Sequence, residues 1–154
     1  MPVVAVVGSR TWTRQDRFFE YLDKLREKGT DLRLVSGACP EGPDYFAELW
    51  AKKRGVPIML YPADWSKGRG EGFRRNTLII KDADVVVAFW DGRSNGTLDS
   101  IQKGWKLGKR VLVAVPFSAV TKVSNHEDLA CLLERTARQV LCTPRAEQQL
   151  EASC

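Results

Sequence analysis

Three short stretches of glycine and small polar residues carry the chemistry open to this sequence. Gly8-Ser9-Arg10-Thr11 joins a residue that lets backbone approach a ligand, a hydroxyl, and a guanidinium able to grip a phosphate with two hydrogen bonds. The alternative is a tight turn with a solvated arginine. Ser36-Gly37-Ala38-Cys39-Pro40-Glu41-Gly42-Pro43-Asp44 is a shaped turn that sets Pro43 where a helix would start. Free amides at such a start suit an anion, and Asp44 either holds the loop or binds a ribose hydroxyl. The third stretch, Trp90 to Thr97, contains Asp91, Ser94, Gly96 and Thr97 ahead of a helical pattern. Gly96 and Thr97 there offer amides and a hydroxyl to a phosphate, a role compatible with plain helix capping by Thr97.

A basic stretch, Lys67, Arg69, Arg74 and Arg75 with Glu71 inside it, reads either as a solvated loop or as one facing a phosphate. Gly68-Arg69-Gly70-Glu71-Gly72 has the wrong spacing for a dinucleotide fingerprint and follows no strand, so it reads as a loop carrying Arg69 near the site. No GxxxxGK[ST] motif occurs, which argues against an ordinary P-loop NTPase. Cys39, Cys131, Cys142 and Cys154 form no CxxC pair and His126 is the single histidine. Neither a metal site nor a cofactor is expected. Cys39 reads as a packing residue, since no basic partner is identifiable.

The elements that must position these stretches follow from apolar periodicity. Val3–Val7, Leu32–Val35, Val56–Leu60, Asp84–Phe89 and Val111–Val115 read as strands. The first, fourth and fifth are nearly continuous in apolar residues, as in a parallel sheet covered on both faces. Helical stripes lie between and after them: Phe18, Tyr21, Leu22 and Leu25, closed by Gly29; Phe46, Leu49 and Trp50, closed by Gly55; a weaker one from about Gly72 to Lys81; Leu98, Ile101 and Trp105, closed by Gly108; and Leu129, Leu132 and Leu133 after a Ser124-Asn125 start. This alternation predicts an α/β fold: a single Rossmann-like, doubly wound, parallel five-stranded sheet of order 3-2-1-4-5 with helices on both faces. The domain is expected over 1–142, and 143–154 as a polar tail. A ligand crevice belongs at the C-terminal strand ends, between the first and fourth strands.

The bulk properties fit. The chain has 154 residues and a net charge of +5 from 24 basic and 19 acidic side chains, which permits weak attraction to nucleic acid without requiring it. No apolar run approaches the roughly 18 residues of a membrane span, and no leader pattern opens the sequence. A reducing cytoplasm is the expected compartment and no membrane partner is expected.

Gly8-Ser9-Arg10, the Ser36–Asp44 loop, Pro62-Ala63-Asp64-Trp65, Arg74-Arg75-Asn76 and Asp91-Gly92-Arg93-Ser94-Asn95-Gly96-Thr97 occur in an order that resembles the SLOG superfamily, in its small single-domain branch common in bacteria and phages. The resemblance spans about residues 1–115 and implies a Rossmann-like nucleotide-binding fold. Its relatives include LOG phosphoribohydrolases, which cleave nucleoside monophosphates, and DNA-processing protein A, which binds single-stranded DNA. By that pattern Gly8, Ser9, Arg10, Gly37, Asp44, Arg75, Asn76, Gly96 and Thr97 line the pocket. The LOG enzymes carry a PGGxGT loop with a Glu three residues after its Thr. Here Arg93-Ser94-Asn95 replaces the Pro-Gly-Gly, Ser100 stands in place of the Glu, and Asp99 points about 100° away from it on a helix.

Three functions follow as expectations. The first is binding or sensing of a phosphorylated nucleotide-derived ligand by Gly8, Ser9, Arg10, Ser36, Gly37, Asp44, Arg75, Asn76, Asp91, Ser94, Gly96 and Thr97. The second is N-glycoside hydrolysis of a nucleoside monophosphate or NAD-like substrate, for which Glu41, Asp44 or Asp99 would supply the acid or base. The third is single-stranded nucleic-acid binding, with Trp12 or Trp65 as stacking platforms or else as loop anchors. A homodimer is also expected, with apolar surface left by Trp105 and Trp50.

Overall fold

The computed structural model describes residues 1–28 and 31–142. The expected helix-ending Gly29, the polar tail 143–154 and Cys154 lie outside the described residues.

Val3, Ala5 and Val7 of β1 (Val3–Gly8) pack on one side of the sheet, and Val4 and Val6 on the other. This is the period of two that a strand imposes. Both sides need cover, and helices supply it. On one face lie α1 (Gln15–Lys28) and α2 (Pro43–Arg54), whose Phe18, Leu22 and Trp50 meet Val4, Val6, Leu34 and Phe89. On the other lie α3 (Glu71–Asp82), α4 (Asn95–Lys106) and α5 (His126–Cys142), whose Ile79, Ile80, Ile101, Leu129 and Leu132 meet Val3, Ala5, Val86 and Val113.

The remaining strands are β2 (Arg33–Ser36), β3 (Ile58–Leu60), β4 (Val85–Phe89), β5 (Arg110–Ala114) and β6 (Thr121–Lys122). They pair in the order β3-β2-β1-β4-β5-β6. The order of the first five is the expected one, and all four of their pairings are parallel. The sheet is not purely parallel and five-stranded, however. β6 adds a sixth strand antiparallel to β5, with Val113 opposite Thr121. Its cause is the turn after Val115: Phe117 takes φ 70, and the Ser118 hydroxyl accepts from Val115 N–H at 3.0 Å, folding the chain back.

Local details explain the element ends. Gly42 (φ 71) precedes Pro43, which opens α2 as expected, and Gly55 closes it in the left-handed conformation. β3 begins two residues later than expected because Val56 N–H still bonds Ala51 at the end of α2 and Pro57 has no N–H to give. Asn125 Oδ1 accepts from Asp128 N–H while Asp128 Oδ2 accepts from Ser124 N–H, a reciprocal cap on α5.

Two expectations about tryptophan are corrected. Trp50 is fully buried and donates Nε1–H to Asp23 Oδ1, which also takes Arg54, so it leaves no surface for a partner. Trp12 is 5% exposed and packs edge-on to Phe89, so it is no stacking platform. Among the described residues no helix is long and apolar enough to cross a membrane.

Candidate functional site

β1 and β4 run side by side to Gly8 and Phe89, and Ser9 N–H still reaches Phe89 O at 3.0 Å. Beyond that point the chain leaves β1 for α1 on one face and β4 for α4 on the other. The strands part, and a cleft of about 380 Å³ opens at their C-terminal ends. Gly8, Arg10, Gly37, Asp44, Arg75, Asn76, Asp91, Ser94, Gly96 and Thr97 all line it.

One half of the cleft is a hydrogen-bonded frame around Asp91. Its Oδ1 accepts from the N–H groups of Arg93 and Ser94, each at 2.8 Å, and its Oδ2 accepts from the Thr11 hydroxyl at 2.7 Å. Partial burial pushes this carboxyl up, but the Ser94 N–H, the Thr11 hydroxyl and the Arg93 N–H outweigh burial and hold it below the ordinary range. Asp91 N–H donates to Ser9 Oγ at 3.0 Å, and Ser9 Oγ lies 3.4 Å from Thr97 Oγ1. Thr97 in turn gives both its hydroxyl (3.2 Å) and its N–H (3.4 Å) to Ser94 Oγ, the cap of α4. Ser94 Oγ thus accepts twice, and its own proton is left for the cleft. The amides of Asn95 and Gly96, in the first turn of α4, have no intrahelical acceptor. A Cβ at Gly96 would meet nothing within 4 Å, so this corner is open.

The other half centres on Asp44 and Arg75. Asp44 sits in the first turn of α2 with its side chain buried, and Oδ2 accepts from Cys39 N–H at 3.1 Å. Burial pushes its pKa up to about 6; the Cys39 N–H and the positive charge of Arg75 pull downward without cancelling it. Ser36 Oγ, too far from any acceptor for an ordinary hydrogen bond, adds a weaker pull the same way. Arg75 is anchored at two points: Nη1 donates to the Gly37 carbonyl and Nε donates to the Asn76 side chain at Oδ1, 3.2 Å away. Asn76 Nδ2 then donates to Gly96 O at 3.2 Å, tying α3 to the start of α4.

The rim is cationic and aromatic. Arg10 and Arg69 line the mouth, and neither has a hydrogen bond or ion pair among the described residues. Trp65, from a short 3-10 turn (Trp65–Lys67), and Phe73, from the first turn of α3, line it too and are 54% and 46% exposed.

The structure brings most of the expected residues to one cleft but changes the work of several. Ser9 and Ser36 are buried behind its wall, so Ser9 acts through Asp91 and Thr97. Gly8 lines the cleft, and Pro43 packs where a Cβ would be, so the fold itself requires a glycine there. Glu41 is exposed and outside the lining, and Asp99 is drawn aside to Lys103 at 2.7 Å and Asn76 at 3.3 Å. Of the three carboxylates considered for catalysis, Asp44 alone reaches the cleft. Phe73 was not foreseen. Asn76, Ile79 and Ile80 form the buried stripe of α3, and three residues before Asn76 that stripe passes the sheet edge at Phe73. Extending the stripe one turn upstream is the signal that finds it.

The arrangement has the donors to hold an anion, in a cleft that the carboxyls of Asp44 and Asp91 also line. Ser94 Oγ, two helix-terminal amides and two guanidinium groups all present protons, and no free acceptor among them opposes a phosphate. Among the described residues no cluster of three or more His, Cys, Asp or Glu could hold a metal ion.

Comparison with known proteins agrees with this fold. The family model described as the YspA, cpYpsA-related SLOG family matches residues 2–68. The Gene 61 protein of Mycobacterium phage D29 is 32% identical over 117 residues, covering 71% of this chain and 93% of that protein. Among solved structures, DNA processing protein A from Helicobacter pylori, described for its single-stranded DNA binding mode, superposes with a TM-score of 0.60 at 22% identity, over 87% of this chain and 72% of its own. The molybdenum cofactor binding protein from Rippkaea orientalis also gives 0.60, at 19% identity, over 90% of this chain and 86% of its own. At such identities these two likenesses speak for the fold.

Proposed function

The chain belongs to the SLOG superfamily, and from that premise we propose that its cleft binds a phosphorylated, nucleotide-derived small molecule without cleaving it. The observation that carries this reading is the open start of α4 at Gly96, in the same cleft as the guanidinium groups of Arg10 and Arg69, which have no partner among the described residues. The phosphate lies against the Asn95 and Gly96 amides and the Ser94 hydroxyl, with Arg10 closing over it. Asp44 and Arg75 face the sugar side, where a protonated Asp44 donates to an oxygen and an ionised one accepts from a hydroxyl. The cleft volume falls within the ~300–1,000 Å³ typical of small-ligand sites.

A panel of nucleoside mono- and diphosphates, read by thermal shift and then by calorimetry, tests it. Ligand at a hundred times Kd raises apparent stability by about 2.7 kcal/mol, a clear melting shift. Absence of a shift with every phosphorylated compound at millimolar concentration would sink the reading.

A second reading is single-stranded nucleic-acid binding. It is favoured by the exposed Arg93 in the loop that leads into α4, and supported by the described DNA binding of the Helicobacter pylori protein. A steep fall of oligonucleotide affinity with salt would mark it.

A further inference from the structure

We propose that Trp65 and Phe73 form the seat of an aromatic base, so that the cleft takes a nucleotide held at both ends and not a sugar phosphate. This rests on the phosphate site proposed above. Trp12, Phe18, Trp50, Phe89 and Trp90 are buried and Tyr45 is exposed away from the cleft, whereas these two rings stay 54% and 46% exposed at its mouth. Rings left in water forgo the stabilisation that burial would give the fold. Both are nonetheless propped. Trp65 lies so close over Gly72 that a Cβ there would come within 2.8 Å of its ring. Its 3-10 turn is pinned by Asp64, which accepts from Ser66 N–H. Phe73 has the Lys103 ammonium 5.9 Å from its ring centre, and that ammonium is fixed by Phe73 O and Asp99, each at 2.7 Å. Propped, solvent-facing rings in one lining with Arg69 are what a base needs: a flat apolar surface and a cation. The bounded volume of the cleft favours a mononucleotide over a strand.

The test titrates the protein with AMP, GMP, CMP, UMP and ribose 5-phosphate by calorimetry, following tryptophan fluorescence in parallel. The best nucleotide is expected to bind about ten-fold or more tightly than ribose 5-phosphate, the scale of one base–aromatic stack. Trp65→Ala and Phe73→Ala should each remove much of that advantage and leave ribose 5-phosphate within two-fold. Their melting temperatures should hold, because the rings are exposed. Gly72→Ala keeps both rings and suits the helix, but its methyl displaces Trp65, so it too should weaken nucleotides selectively. Equal affinity of wild type for nucleotides and ribose 5-phosphate would overturn the base seat while leaving the phosphate site standing. Variants that weaken both ligands alike would also overturn it, as would oligothymidylate affinity that rises with length and displaces the mononucleotides. If no phosphorylated probe binds the wild type, the phosphate site fails and the base seat with it.

Discussion

The guanidinium carbon of Arg75 lies 2.7 Å from the point where a Cβ on Gly37 would stand, and Asp44 Oδ2 lies 2.9 Å from the same point. Gly37 is therefore the slot into which the charged floor of the cleft is fitted. Gly37→Ala should push Arg75 off the Gly37 carbonyl and cost about 1–3 kcal/mol, the range for an overpacked site. Urea unfolding reads the cost, and ligand titration should show a parallel loss. An unchanged midpoint would mean that Arg75 relocates freely.

Among the described residues Arg10 has no hydrogen bond or ion pair, so Arg10→Ala should leave the melting temperature unchanged and weaken a phosphorylated ligand alone. A hydrogen bond to a charged group is worth about 1.5–3 kcal/mol, which is an order of magnitude or more in Kd. Full affinity in the folded variant would take Arg10 out of the site.

Asp44 gives the domain a pH signature. Burial raises its folded pKa to about 6, above the ordinary aspartate value near 3.8, so the folded state holds a proton that the unfolded chain releases. That contribution is fully present below about pH 4 and is lost as pH rises through 6. Relative to Asp44→Asn, which cannot titrate, wild type should lose about 2 kcal/mol of stability between pH 4 and pH 7, taking 1.36 kcal/mol per pKa unit. Denaturant midpoints across that range check this, and parallel profiles for the two proteins would refute it.

Asp91 is the keystone of the other half. Asp91→Ala strips acceptors from two N–H groups and the Thr11 hydroxyl and should cost about 1–2 kcal/mol. Asp91→Asn keeps an acceptor for the two N–H groups but offers Thr11 a donor, so it should recover most of the stability. If both variants lose the same amount, the charge and not the geometry of Asp91 matters.

Cleavage of nucleoside monophosphates should be absent. A positioned acid or base contributes about 10²–10⁴-fold. Ser100 is buried, Asp99 is bound to Lys103, Glu41 lies outside the cleft, and Asp44, the one candidate carboxyl that reaches it, is held by Cys39 N–H beside Arg75 on the floor. Chromatography of released base decides it, and turnover abolished by Asp44→Asn would make the protein a hydrolase.

The sheet order was legible because alternation of apolar runs and helical stripes leaves few right-handed windings, and Val3–Val7 and Asp84–Phe89 read as strands buried on both faces. β6 was not, since Thr121 and Lys122 are too short to show a period and depend on the turn at Phe117 and Ser118. In the site, Arg10, Asp44, Arg75 and Gly96 were found from residue type and place. The facing of Ser9 and Ser36 was not, because one residue along an extended chain reverses a side chain. Nor was the capture of Asp99 by Lys103, although their separation of four residues on a helix announces it.

The frame of Asp91, Ser9, Thr97 and Ser94 is closed by its own hydrogen bonds, with no ligand needed to shape it. Little ordering entropy remains to be spent when a phosphate arrives. Encounter should therefore run at similar speed for every phosphorylated compound, and discrimination should appear as differences in residence time.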